Sequence, residues 1–209
     1  MRQLLVILSL FAFLGLQAQD SKAEKIIAQS QSKLEGMKDF AADFSYSIEN
    51  PNMNKPVLRN GKIKYKTGKF VIQLEDQEVY CDGVTQWIYL PSDCEITIMD
   101  YDPEEPWIES IFKIYEASSE SRYDGEETIH GVKCHRIYIA IKDPSLEFNQ
   151  AIVWINAKTN FLEKTALIDR KQTRNVYEFS SVKTDQGLSN LDFRFDIDAH
   201  GDCDVYDER

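Results

Sequence analysis

Val79–Met99 reads VYCDGVTQWIYLPSDCEITIM: three short runs that alternate aromatic or branched residues with polar ones, punctuated by Asp82-Gly83 and Pro91-Ser92-Asp93. Asp-Gly between alternating runs signals a hairpin, because both positions tolerate positive φ. The stretch therefore reads as a three-stranded meander. In its middle strand Trp87 and Tyr89 share one face while Ile88 and Leu90 take the other, so both faces carry large apolar groups. A sheet apolar on both sides needs two coverings, one a helix layer and the other a second layer or a ligand.

Working outward, Gly61 to Leu74 holds two more alternating runs around Thr67-Gly68-Lys69, with Ile63 and Tyr65 in the first and Phe70, Ile72 and Leu74 in the second. Asp43 to Glu49 alternates strictly, with Phe44, Tyr46 and Ile48 on one face. Asn50-Pro51-Asn52 breaks it, and the segment to Asn60 reads as loop. Ser21 to Met37 places Ala23, Ile26, Ile27, Ser30 and Leu34 at near-helical spacing, the pattern of an amphipathic helix laid on one sheet face.

Downstream, Pro103-Glu104-Glu105-Pro106 resembles an acidic helix start, and Trp107, Ile108, Ile111, Phe112, Ile114 and Tyr115 follow at helical spacing. Ser118 to Gly131 is a polar stretch. Strand signals resume at Val132–Ile141, Ala151–Ile155, Phe161–Ile168, Asn175–Val182 and Leu191–Ile197, the last with Phe193 and Phe195 on one face. The pattern predicts a mainly β (α+β) fold of about ten or eleven strands with two main helices, and excludes a parallel α/β fold.

The first residues carry Arg2, an apolar run from Leu4 to Leu16, then Gln17-Ala18-Gln19-Asp20. This run is shorter than the roughly 18 residues of a membrane span and ends in small and polar residues, so residues 1–18 read as a secretory signal peptide. No cysteine follows it to accept a lipid anchor. Residues 19–209 then form one exported domain. The formal charge of -11 argues against nucleic acid and against unaided attraction to anionic surfaces.

Export would permit disulfides among Cys81, Cys94, Cys134 and Cys203, in any of three pairings. The meander sets Cys81 and Cys94 apart, which disfavours that pair. Buried thiols are the other reading. No C-x-x-C, H-x-x-x-H, G-x-S-x-G or P-loop occurs, and His130, His135 and His200 lie in separate segments, so no catalytic or metal site is expected and no cofactor is implied. The acids Asp100, Asp102, Glu104 and Glu105 lack the spacing of a calcium loop. The aromatic residues are the informative class: either they fill a core, or a curved sheet with few helices encloses an apolar cavity of the kind that carries lipids.

In order, the segments Asp39–Phe44, Gly61–Lys66, Cys81–Tyr89 with its Asp-Gly-x-x-x-Trp-x-Tyr, the mid-chain helix, and Phe193 and Phe195 followed by Gly201–Val205 resemble the LolA outer-membrane lipoprotein carrier family over essentially the mature length. The resemblance implies an incomplete antiparallel barrel whose concave face is covered by helices. It also implies a monomeric, non-enzymatic periplasmic carrier that holds the acyl chains of lipoproteins, released by an inner-membrane ATP-binding-cassette complex and handed to an outer-membrane acceptor. Related exported proteins of this fold serve instead as sensors or adaptors. On this reading Phe44, Tyr46, Ile72, Trp87, Tyr89 and Phe193 line the sheet side of the cavity, and Trp107, Ile111, Phe112 and Tyr115 form a lid face. One departure is that the family's Arg-Pro, whose arginine bonds the lid shut, reads Thr67-Gly68 here; Lys66 and Lys69 stand nearby but lack the planar fork of arginine.

Overall fold

The structure is a computed structural model that describes residues 20–102, 118–144 and 146–209. Helix α1 spans residues 20–36. The strands are β1 (Phe40–Glu49), β2 (Val57–Lys66), β3 (Lys69–Leu74), β4 (Glu78–Cys81), β5 (Thr85–Leu90), β6 (Glu95–Asp100), β7 (Ser118–Ile129), β8 (Val132–Ile141), β9 (Phe148–Asn156), β10 (Leu162–Asp169), β11 (Arg174–Thr184) and β12 (Asp204–Asp207). They form one open sheet in the order β12-β6-β5-β4-β3-β2-β1-β11-β10-β9-β8-β7. All pairs are antiparallel except β12 on β6, which is parallel.

The meander forms as its sequence directs. Gly83 takes φ +92°, and the Asp82 carboxylate accepts the amides of Val84 and Thr85 at 3.0 and 2.9 Å. That register aligns Ile72 with Val79 and Val79 with Ile88 on one face, and Tyr80 with Trp87 and Trp87 with Ile98 on the other.

The concave face holds the main core. Ala23, Ile26 and Ile27 of α1 pack on Phe40, Phe44, Ile63, Ile72, Ile137, Ile139, Val153 and Phe179. The helical spacing read in the sequence thus marks the buried stripe. Gly61 lies opposite both Phe44 and Leu74, and a Cβ there would collide with the backbone carbonyl of Gln73, so close strand approach requires glycine.

The convex face carries two further clusters. Under β8–β11, Cys134, Ile152, Trp154, Ala166, Ile168 and Val176 are buried. Trp154 donates its indole N–H to Glu127 at 2.8 Å, with the cations of Arg136 and Lys164 5.9 and 5.2 Å from its ring. Under β4–β6, Trp87, Ile96 and Ile98 are covered by Phe195, with Tyr80, Tyr89 and Ile197 packed around them. Phe195 belongs to a C-terminal strap that leaves β11, is held by Asp39 through the amides of Gln186 and Leu188, and ends in β12. A Cys94–Cys203 disulfide ties the strap to the turn before β6. Cys81 and Cys134 are buried thiols outside it, and burial pushes the Cys134 thiol up to about 11.

Four sequence expectations change. The segment up to Asn60 is not all loop, since β2 begins at Val57. The polar stretch from Ser118 is β7, an edge strand whose two register shifts break the alternation a reader would look for. Leu191–Ile197 is not a strand: it opens in a short 3-10 turn, Asn190–Phe193, because the capping box of Ser189 and Asp192 nucleates a turn there. Among the described residues twelve strands form, one or two more than expected, with β12 too short and too exposed to show a period. The mid-chain helix of Trp107 to Tyr115 lies outside the described residues.

Candidate functional site: an apolar cavity on the concave face

Alternation puts every second residue of β1 to β5 on the concave face, and where those residues are aliphatic rather than aromatic they leave room. A cavity of about 370 Å³ lies there, lined by Phe44 and Tyr46 of β1, Ile72 and Leu74 of β3, Val79 of β4, Ile88 of β5 and Tyr177 of β11, with Arg59, Gln77 and Gln86 as its polar members. This is within the range of small-ligand pockets. One wall is the stacked pair Tyr46 and Tyr177, ring centroids 5.0 Å apart. The Tyr46 hydroxyl donates to Asn175 Oδ1 at 2.7 Å, which fixes that ring. Burial raises the pKa of both phenols, so each stays a neutral hydrogen-bonding group. At the rim Arg59 pairs with Asp76 at 3.1 Å.

A second cavity of about 520 Å³ lies at the opposite end of the strands, beside the β7–β8 turn, lined by Lys33, Ile129, His130, Val132, Asn156, Thr159, Phe161, Glu163, Phe179 and neighbouring β11 residues. Four rings lie between the two cavities: Phe40 and Phe161 are 5.5 Å apart, Phe161 and Phe179 6.2 Å, and Phe179 and Phe44 5.6 Å. Its lining is mixed, with Ile129, Val132, Phe161, Phe179 and Val182 beside the polar residues. Glu163 is buried and accepts Asn156 Nδ2 at 2.7 Å; burial pushes its carboxyl pKa up, with the Asn156 hydrogen bond and His130 opposing. The first cavity carries no buried carboxyl group in its lining, which distinguishes it from the second.

The structure divides the set of lining residues expected from sequence. Phe44, Tyr46 and Ile72 come together in the apolar cavity. Trp87 and Tyr89 do not join them, which corrects the expected shared lining: they point to the convex face, where Tyr89 lies 5.5 Å from Phe195 and 4.7 Å from His200. Phe193 is fully buried in the strap's 3-10 turn, also away from the cavity. Trp107, Ile111, Phe112 and Tyr115 lie outside the described residues. The lining residues missed were Leu74, Val79, Ile88 and Tyr177. The first three were findable, since the Asp-Gly turn fixes a register that carries Ile72 to Ile88; Tyr177 was not, because β11 reaches β1 from across the chain.

Lys66 and Lys69 near the family's arginine position are committed elsewhere. Lys66 Nζ donates to the Leu188 carbonyl at 3.0 Å and Lys69 Nζ to Asn190 Oδ1 at 3.2 Å, so both tether the strap. Among the described residues no group of His, Cys, Asp and Glu could hold a metal, and no helix is long and apolar enough to cross a membrane.

Comparison with known proteins agrees with this architecture. A solved structure of a conserved protein from Thermus thermophilus superposes with a TM-score of 0.58 at 10% identity, covering 90% of this chain and 99% of that one. The Mycobacterium tuberculosis lipoprotein LppX gives 0.55 at 14% identity, covering 81% and 98%. The Pseudomonas aeruginosa MucA/MucB complex gives 0.50 at 14%, covering 84% and 62%. At such identities these likenesses establish the fold alone. A protein of Methanocaldococcus jannaschii is 28% identical over 152 residues, and the chain spans less than half of that relative's length, 44%, while 66% of the chain is covered. The family described as "Outer membrane lipoprotein carrier protein LolA" matches residues 35–196, and with more than half its length so matched the chain belongs to the LolA family.

Proposed function

We propose that the protein is a periplasmic carrier that binds the acyl chains of lipoproteins in the apolar cavity and moves them from the inner to the outer membrane. The observation behind this reading is the cavity itself: an aliphatic hollow with a tyrosine wall, on the concave face of an open sheet, in a chain of a carrier family. Fully burying a ~16-carbon chain is worth about 0.8 kcal/mol per CH₂, too much for ready release. A hollow of about 370 Å³ that opens at the Arg59 rim encloses a chain only in part, which suits reversible carriage. On this reading an inner-membrane ATP-binding-cassette complex loads the carrier and an outer-membrane acceptor unloads it.

The test is uptake of a fluorescent acyl probe by the mature protein and by Ile88→Trp, a half-buried wall position where a larger ring fills the hollow. Wild type should bind, and the variant should lose on the order of ten-fold in affinity with its far-UV spectrum unchanged, a shift of roughly 1.4 kcal/mol. A second reading, a sensor or adaptor that binds a protein partner, draws on one structural neighbour having been solved as a two-protein complex. Absence of probe uptake by wild type would favour it.

A further inference from the structure

Among the described residues seven large apolar side chains are exposed, and three of them, Met53 (42%), Val57 (43%) and Leu58 (59%), sit within six residues at the tip of the β1–β2 hairpin. The others are dispersed on the meander, the strap and β12. The tip is built rather than loose: the Asn50 carboxamide accepts the amide of Asn52 at 2.9 Å and donates to Thr173 Oγ1 at 2.8 Å, which joins the tip to the β10–β11 turn.

Charge at this corner opposes that of the whole molecule. In a chain of net -11, residues 50–60 contain Lys55 and Arg59 and no acid, and residues 170–174 contain Arg170, Lys171 and Arg174 and no acid. The nearby acids are Glu49, which lies opposite Arg174 across β1 and β11, Asp169, and Glu147, whose charge reaches Tyr46 and Tyr177. Asp169 accepts the amides of Lys171 and Thr173 at 2.7 and 2.8 Å, and so shapes the turn. Arg59 is engaged by Asp76. Among the described residues Lys55, Lys171 and Arg174 have no acidic partner within ion-pair distance. The corner also adjoins the cavity, since Tyr46, Arg59 and Tyr177 belong to the same strand ends.

We infer that this corner, Met53, Val57 and Leu58 together with Lys55, Lys171 and Arg174, is a contact site for an anionic bilayer surface. Apolar side chains entering the acyl boundary beside cations that meet lipid phosphates are the two elements of reversible interfacial binding. The inference rests on the carrier reading, for which it supplies the approach: the cavity rim is brought to the surface from which an acyl chain leaves or into which it returns.

The test is co-sedimentation of the mature protein with phosphatidylcholine vesicles with and without phosphatidylglycerol, alongside probe uptake from solution. Wild type should bind the anionic vesicles in a salt-sensitive manner, and the neutral vesicles far more weakly. Met53→Asp/Leu58→Asp should lose at least ten-fold in partitioning, and Lys55→Gln and Lys171→Gln about five-fold each. All four positions are exposed, and folding is checked by unchanged probe affinity in solution. Failure of wild type to bind anionic vesicles, or equal binding by all variants, overturns the inference; with probe uptake intact, failure would leave the corner to a protein acceptor. Vesicle binding through the corner without probe uptake would instead sink the carrier reading alone.

Discussion

The two faces of β5 make an instructive pair. On the convex side Trp87 is 6% exposed and sealed by Phe195, the strap and a disulfide; on the concave side Ile88 borders an open hollow. On β5 the aromatic side is thus the filled one. Large rings interdigitate and consume volume, whereas the smaller aliphatic side chains of the other face fill less of it. On this strand the aromatic side is sealed, whereas the hollow is walled by the aliphatic Ile72, Leu74, Val79 and Ile88 together with Phe44, Tyr46 and Tyr177.

The sharpest way to break the contrast is to remove the seal. Cys94→Ser/Cys203→Ser opens a link across 109 residues, and loop-closure entropy puts its worth at about 4 to 5 kcal/mol. Urea unfolding should register most of that loss and Trp87 fluorescence should shift red, while probe affinity changes by less than about two-fold. A comparable loss of probe binding would mean the two faces are not independent. Next comes Trp87→Ala, expected to cost about 3 to 4 kcal/mol with probe affinity retained. Ile88→Ala should cost only about 1 kcal/mol, because the side chain already borders a void, and should alter probe affinity instead. The smallest effect concerns the second cavity. Burial raises the Glu163 pKa above its usual 4.5, so the folded state holds this proton more tightly than the unfolded state. The associated stability is complete below about pH 4.5 and is lost as pH rises through the folded pKa. Glu163→Gln should therefore gain on wild type as pH is raised from 4 to 7, read as a widening gap in Tm.

Much of this was legible in the chain. The Asp-Gly turn, the alternation of β1 to β6 and the 3.6-residue period of α1 are local signals, and each marks its element. Alternation also told correctly that Trp87 and Ile88 oppose one another. It could not tell which faced the hollow, because with both faces apolar only the covering layer distinguishes them. That layer is the strap, whose position depends on pairings between residues about a hundred positions apart, Cys94 with Cys203 and Ile96 with Val205. The edge strand β7 was hidden for a different reason: solvent takes one side of it, and its bulges interrupt the period.

The order of the strands carries a consequence for how the molecule assembles. β1 to β6 pair in sequence as one meander, β7 to β11 as another, and the sheet joins the two by pairing β1 with β11. Each meander is rich in short-range contacts and should form early, whereas closing the β1–β11 seam must await both. Tyr46 and Tyr177 face each other across this seam, so the hollow is completed by a long-range step of folding. Hydrogen exchange of the β11 amides that bond to β1 would report when that seam opens.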